Sequence, residues 1–305
     1  NRFDHRTPGT THGHHTSSAI LSVEAFDITK DKSIYPDQLK YTSTWQPERM
    51  FFNTSSWFFS NQQAFREATK DEKYLTFDTG VYFPLKGLSN PEIASLSRSQ
   101  HQSQGFGSTG SRGSEMEYLE LIKGSQPASR EDVFSGINTS WTRVEDGAEI
   151  GEILGDVQEN FDFTNPSASL PQLLEAYSLI QKLEDEHWKS IKSEEIKSII
   201  EACAGLYLEA VSNSEFVSPG DDIRLNLEAI NRSNADVELK SIVLNPQNRI
   251  EEIATVLRNN EDWQKSFEYK VPGDASYTSP YWLNKEGTVG MYRVDNRKLI
   301  GKPET

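Results

Sequence analysis

At Ser218-Pro219-Gly220-Asp221 the hydrophobic period of the chain changes from helical to alternating, and this change constrains the fold more than any other feature. Before it, Leu170, Leu173, Leu174, Tyr177, Ile180 and Leu183 recur at three- and four-residue spacing, as do Ile196, Ile199, Ile200, Cys203, Leu206 and Ala210. Each set makes one apolar stripe on an α-helix. The two stripes predict an antiparallel helix pair joined through Lys189 to Ser193. After the change, Ile223, Leu225 and Leu227 alternate with polar residues. Val237, Leu239 and Val243 repeat the alternation beyond an Asn231 to Asn234 turn, followed by Phe267, Tyr269 and Val271, and then by Val289 and Met291. Side chains that alternate in this way line one face of a strand. The pattern predicts an all-β immunoglobulin-like sandwich over 213–305, for which about seven strands are expected. The sequence stops at Gly301-Lys302-Pro303-Glu304-Thr305, so the sandwich is expected to be incomplete.

The N-terminal region has a different texture. Ala19, Ile20, Val23 and Phe26 predict a helix over Ser17 to Asp27. The aromatic runs Met50-Phe51-Phe52 and Trp57-Phe58-Phe59 read as core strands, with an aromatic wall beside a sugar as the competing reading. Tyr74 to Phe83 reads as a strand and turn, and Met116 to Ile122 as a strand. Asn90-Pro91 opens a helix through Ile93, Ala94 and Leu96. Gly105-Phe106-Gly107-Ser108-Thr109-Gly110 matches G-x-G-x-x-G in form. A dinucleotide fingerprint needs a strand before its glycines and a helix after them, and the order here is reversed. The Gly105–Gly113 segment is therefore read as a loop, with Arg112 able to meet an anionic group on a substrate. Gly124-Ser125-Gln126-Pro127 is linker-like. The expected division is thus 1–124, a helical region over 125–212, and the sandwich.

The net charge of −15 argues against nucleic acid or an anionic membrane as partner. No segment is apolar enough for a transmembrane span. The single cysteine, Cys203, rules out an internal disulfide framework and reads as a buried thiol. Glu184, Asp185, Glu186 and His187 look metal-like on paper but read as a solvated helix end.

Chemistry points to Thr11-His12-Gly13-His14-His15, where three of the six histidines of the chain fall within four residues. His12 and His15 are three apart, so a helical turn puts both rings on one side, where a neutral imidazole can ligate a metal and its neighbour can polarise a substrate. Solvated loop histidines are the competing reading. The segment from Arg2 to Phe26 resembles the last metal-binding motif of the PIG-L (LmbE-like) zinc deacetylases, Gly-His-Pro-Asp-His. Thr11 stands for the family's Gly, Gly13 for Pro and His14 for Asp. The resemblance implies zinc as cofactor, His15 as a zinc ligand, and His12 as the group that stabilises the oxyanion. A later family motif, Ala-Leu-x-x-His-x-Ser-Gln, is similar to Ser95-Leu96-Ser97-Arg98-Ser99-Gln100-His101-Gln102-Ser103-Gln104, which implies His101 and Gln104 as substrate contacts. A capped helix end packing on the sheet is the competing reading there.

The family's Ala-His-Pro-Asp-Asp motif does not occur in this sequence, and the chain opens at Asn1. The resemblance therefore predicts a fragment that lacks most of its metal site and does not catalyse alone. It implies a partial Rossmann-like α/β layer over 1–124 and an N-acetylated sugar or glycoconjugate as partner. By analogy with enzymes that carry an appended sandwich, secretion or a periplasmic location is favoured. The alternative is a non-catalytic secreted module that binds glycan or cell envelope and carries a degenerate deacetylase region.

Overall fold

A computed structural model describes residues 1–245 and 248–303. Glu304 and Thr305, on which the early end of the sandwich was read, lie outside the described residues. The chain divides into two compact units, Asn1–Ile137 and Asn138–Thr305. The division falls later than the linker-like run at Gly124, and the helices and strands beyond it belong to one unit. The described residues hold six α-helices together with antiparallel sheets, a mixed α and β protein.

The first unit runs through α1 (Gly13–Ile28), β1 (Arg49–Thr54), α2 (Gln62–Ala68), β2 (Tyr74–Asp78), β3 (Tyr82–Phe83), β4 (Leu88–Ser89), α3 (Asn90–Ser99) and β5 (Met116–Gly124). Its main sheet has the order β1-β5-β2, with both pairings antiparallel. A Rossmann-like layer is built on parallel strands, and no parallel pair of strands occurs among the described residues of this unit. A parallel hydrogen-bond pattern does occur at one residue. The Asn1 amino group donates to the Phe51 carbonyl at 2.7 Å, and the Asn53 N–H donates to the Asn1 carbonyl at 2.7 Å. The register of the sheet sets Phe52 and Tyr74 on either side of Glu120, so these three side chains share a face. Phe52 and Tyr74 are buried there, and Leu75 is buried on the other face.

Helix α3 begins where Glu92 reaches back to accept from the Ser89 N–H and hydroxyl, both at 2.9 Å. That closes the start of the helix as a capping box does. Met50 to Phe52 lies in β1 as expected, but Trp57-Phe58-Phe59 forms no strand. Ser56–Phe58 is a single 3-10 turn, and Trp57 is 66% exposed.

The second unit runs through α4 (Ala148–Glu159), α5 (Leu170–Ile180), α6 (Glu186–Ala204), β6 (Leu206–Ser212), β7 (Asp222–Asn231), β8 (Val237–Leu244), β9 (Arg249–Leu257) and β10 (Asp262–Lys270). Ile150, Ala176, Ile180, Leu183 and Ile196 form its helical core. The link between α5 and α6 is not at Lys189 to Ser193, which lies within α6, but at Gln181 to Asp185. The reason is the cap: the Asp185 carboxylate accepts from the His187 and Trp188 N–H groups at 3.0 and 3.1 Å. At the other end Gly205, with φ +64°, stops the helix. Leu206 and Ala210 therefore lie in β6, and the change of period comes before Ser218.

The β region holds two sheets, β10-β7-β6 and the hairpin β8-β9. Leu244, Phe267 and Tyr269 are buried between partly buried Ile223, Leu225, Leu227 and Ile242. Val289 and Met291 form no strand: Thr288 and Met291 make an isolated bridge, and Val289 is fully exposed. Cys203 is buried and free, as its place in the helical stripe implies.

Candidate active site

Helix α1 is the element that places the histidines. His12 is its N-cap residue, with extended backbone at φ −62° and ψ 148°. Its carbonyl accepts from the His15 and Thr16 N–H groups at 3.0 and 3.2 Å, which closes the first turn. One turn brings residues three apart onto one side. The His12 and His15 rings are accordingly stacked, with centroids 5.7 Å apart and planes 12° apart. Phe3 also stacks on His15, with ring centroids 4.1 Å apart. Inside the helix, Thr16, Ala19 and Phe26 are buried, which ties the first turn to the unit. The helix starts with no side-chain cap and no acidic residue in its first turn. Its positive end is therefore unneutralised and favours negative charge nearby.

His12, His15, Phe3, Thr10, Thr11 and Trp57 line an open cavity of about 530 Å³. His14 is not part of it and lies on another side of α1 with Gly13, Ser17 and Leu21. Exposed imidazoles in such a cavity are donors of the type zinc takes, and a catalytic zinc uses three protein ligands with one position open. Among the described residues no group of three or more His, Cys, Asp or Glu side chains is placed to hold a metal ion. The donors in this cavity are His15 and His12, which fit zinc in kind, and further ligands would have to come from outside this cluster.

Beside the cavity lies a groove of about 450 Å³ that shares Thr10 and Trp57 with it. Its floor is an ion-pair network that sequence reading missed. Arg6 donates to Asp4 through Nε and Nη2 at 2.8 and 3.1 Å, and to Glu120 through Nη1 and Nη2 at 3.1 and 2.8 Å. Lys73 Nζ donates to Glu120 at 3.4 Å. The hydrogen bond from Arg6 holds the Glu120 carboxyl below the usual range, against the effect of burial. At Asp4 burial is the largest influence and pushes upward, but the hydrogen bonds from Arg6 outweigh it, and the carboxyl also lies low. Both groups are therefore ionised near neutral pH. The one available signal was Glu120 between Leu119 and Leu121 in an apolar strand, and alternation alone does not say what faces it.

The other sequence-derived residues sit elsewhere in the unit. His101 and Gln104 are exposed on turns after α3, where the Gln104 N–H donates to the His101 carbonyl at 2.9 Å. Arg112 is exposed and paired with Glu92, Nε to Oε1 at 2.9 Å. None of the three lines the cavity of His12 and His15. A helix precedes the glycines of the Gly105–Gly113 loop and a strand follows them, the order opposite to a dinucleotide site.

Protein-family models, curated proteins and solved structures give no match to this chain. What the fold and the site define is a mixed α and antiparallel-β protein carrying an exposed imidazole pair beside a charged, aromatic-rimmed groove. Among the described residues no helix is long and apolar enough to cross a membrane.

Proposed function

We propose that the protein is a zinc-dependent hydrolase of the PIG-L (LmbE-like) type that removes an acetyl group from N-acetylglucosamine-type substrates. One observation carries this reading: His12 and His15 stack one turn apart at the uncapped start of α1 and open into the same cavity. The pair stands in the segment that resembles the family motif. The two sheets of the second unit support a sandwich of immunoglobulin-like type, whereas a Rossmann-like layer in the first unit rests on the family resemblance alone.

In this reading His15 is a zinc ligand, its ring held by the stack on Phe3. Zinc, when bound, would supply Lewis-acid polarisation of a water and of the acetamide carbonyl. His12 donates a hydrogen bond to the carbonyl oxygen as negative charge develops there. The positive end of the α1 dipole, next to His12, adds to that stabilisation. His101 and Gln104 enter as substrate contacts through the family resemblance, and Arg112 through its place on the loop that follows, each on the exposed segment after α3.

The test is made on the full product of the gene, measuring bound zinc and acetate release from N-acetylglucosamine conjugates. His15→Ala is expected to lose the metal and the activity together. His12→Ala is expected to keep the metal and lose about 100- to 1,000-fold in kcat, the usual cost of removing an oxyanion donor. A folded product with neither zinc nor acetate release would overturn the proposal.

A further inference from the structure

The second unit carries a small notch in which the charge of the chain is reversed. It measures about 150 Å³, and two cations, Arg143 and Lys192, line it together with Thr139, Ser140 and Trp188. Among the described residues no acidic side chain lines it. The chain as a whole carries −15, so this lining runs against its composition.

The cations are placed before any ligand arrives. Arg143 is exposed, and its guanidinium carbon lies 3.8 Å from the centre of the Trp188 ring. Trp188 is fixed in turn, since it packs against the helical core around Ile150. An aromatic face attracts a guanidinium but does not replace an oxygen acceptor. Among the described residues the guanidinium N–H donors of Arg143 have no acceptor. Lys192 Nζ lies 5.7 Å from the same ring and gives one N–H to Glu195 at 2.6 Å, which leaves two of its three donors. Glu195 is not part of the lining and offsets one of the two positive charges. One positive charge therefore stays uncompensated. Beside it, the Asn138 side-chain oxygen accepts from the Ser140 N–H and hydroxyl at 3.0 and 2.7 Å, closing a tight turn with Thr139 at its middle. The Thr139 hydroxyl has no partner among the described residues and adds a neutral donor.

We propose that this notch binds a phosphate monoester group, its oxygens on the Arg143 guanidinium, the Lys192 ammonium and the Thr139 hydroxyl. A fork, a point charge and a hydroxyl suit the three acceptor oxygens of a phosphate. A carboxylate has two oxygens and leaves part of that donor set unused. The notch is smaller than the roughly 300–1,000 Å³ of sites that enclose a whole small molecule, so it takes the phosphate and leaves the rest of the ligand outside. It lies wholly in the second unit and does not rest on the deacetylase reading.

The intact chain, labelled with nitrogen-15, is titrated near neutral pH with inorganic phosphate and with acetate at matched ionic strength, following the Trp188 indole N–H and Arg143 Nε–H resonances. Phosphate is expected to shift both saturably, and acetate to bind about fivefold or more weakly. Arg143→Gln is expected to weaken phosphate about tenfold or more, and Arg143→Lys to recover part of that loss, because the charge returns without the fork. Lys192→Gln is expected to weaken it by a smaller factor. Lys197→Gln removes an exposed charge on the same helix outside the notch and is expected to change nothing. The absence of a saturable shift overturns the proposal. So does unchanged phosphate affinity in a folded Arg143→Gln variant, an equal loss in Lys197→Gln, or acetate that binds as tightly as phosphate.

Discussion

Arg6 and Glu120 are joined by two parallel hydrogen bonds, Nη1 to Oε1 at 3.1 Å and Nη2 to Oε2 at 2.8 Å, across 114 residues of sequence. The same guanidinium holds Asp4, so one side chain fastens the N-terminal segment to the central strand of the sheet. Fork-to-carboxylate pairing of this kind is among the stronger polar contacts in proteins.

Acid should loosen this fastening. The Glu120 carboxyl is held low in the folded chain by the hydrogen bond from Arg6, so the unfolded chain takes up a proton first as pH falls. Stability from the pair is complete above the ordinary carboxylate pKa and is lost as pH drops through the lower folded value. Melting temperature measured between about pH 6 and about pH 3 should fall. In Glu120→Gln the part of that slope due to this group should disappear. Arg6→Ala should cost about 1.5–3 kcal/mol near neutral pH, because two largely covered carboxylates lose a charged partner.

Gly124 pairs with Arg49 at the end of β5, with φ +89°. A Cβ built there would overlap the Glu48 carbonyl oxygen, a backbone atom that cannot swing aside. Gly124→Ala is expected to cost about 1–3 kcal/mol or more, by strain and by displacement of β1. Chemical denaturation of the purified variant reads this directly as a lower midpoint.

Asn231 is the joint of the β region. Its side-chain Nδ2 donates to the Ala235 and Leu257 carbonyls at 2.8 and 3.0 Å, and its Oδ1 accepts from the Ser233 N–H at 3.0 Å. Its backbone carbonyl accepts from Asn260, which ties the end of β7 to the end of β9. The residue is 1% exposed, so Asn231→Ala leaves buried carbonyls without a donor, at about 1–3 kcal/mol. Asn231→Asp should be worse, since an acceptor would then face two carbonyls.

Burial pushes the Cys203 thiol above its ordinary pKa. Only the thiolate attacks, so reaction with a disulfide reagent should be slow in the native protein and fast in denaturant. Equal rates in the two conditions would show that the end of α6 opens readily in solution.

Ile150 lies at the centre of the helical core with no exposed surface. Ile150→Ala is expected to cost about 2–5 kcal/mol, measured as a drop in the denaturation midpoint. By comparison Trp57→Ala, at an exposed ring, should leave stability nearly unchanged.

The elements that could be read in the sequence are those with one clean apolar face. Leu173, Ala176 and Ile180 point one side of α5 into the core, and Ile223, Leu225 and Leu227 do the same for β7. Strand β9 was missed because its apolar residues lie on both faces. Ile250 and Val256 are exposed while Leu257 is buried, and Ala254 sits at φ +49° where the register with β8 shifts. A bulge of that kind breaks the alternation that marks a strand. The start of α6 was misplaced for a different reason. Lys189 to Ser193 is polar enough to read as a link, but the helix is set by the Asp185 cap rather than by composition.

By itself the sequence determined where helical and alternating periods run, and that His12 and His15 share one turn. Both follow from the fixed geometry of consecutive peptides. Only the tertiary structure decided what stands beside that turn. Asp4, Arg6, Lys73 and Glu120 have no common motif, and they meet because the β1-β5-β2 register sets Glu120 between Phe52 and Tyr74. Trp57 is an exposed ring rather than a core one because its segment turns in a 3-10 loop and leaves the sheet. Contacts between distant residues are set by register and chain path, which a local pattern does not carry.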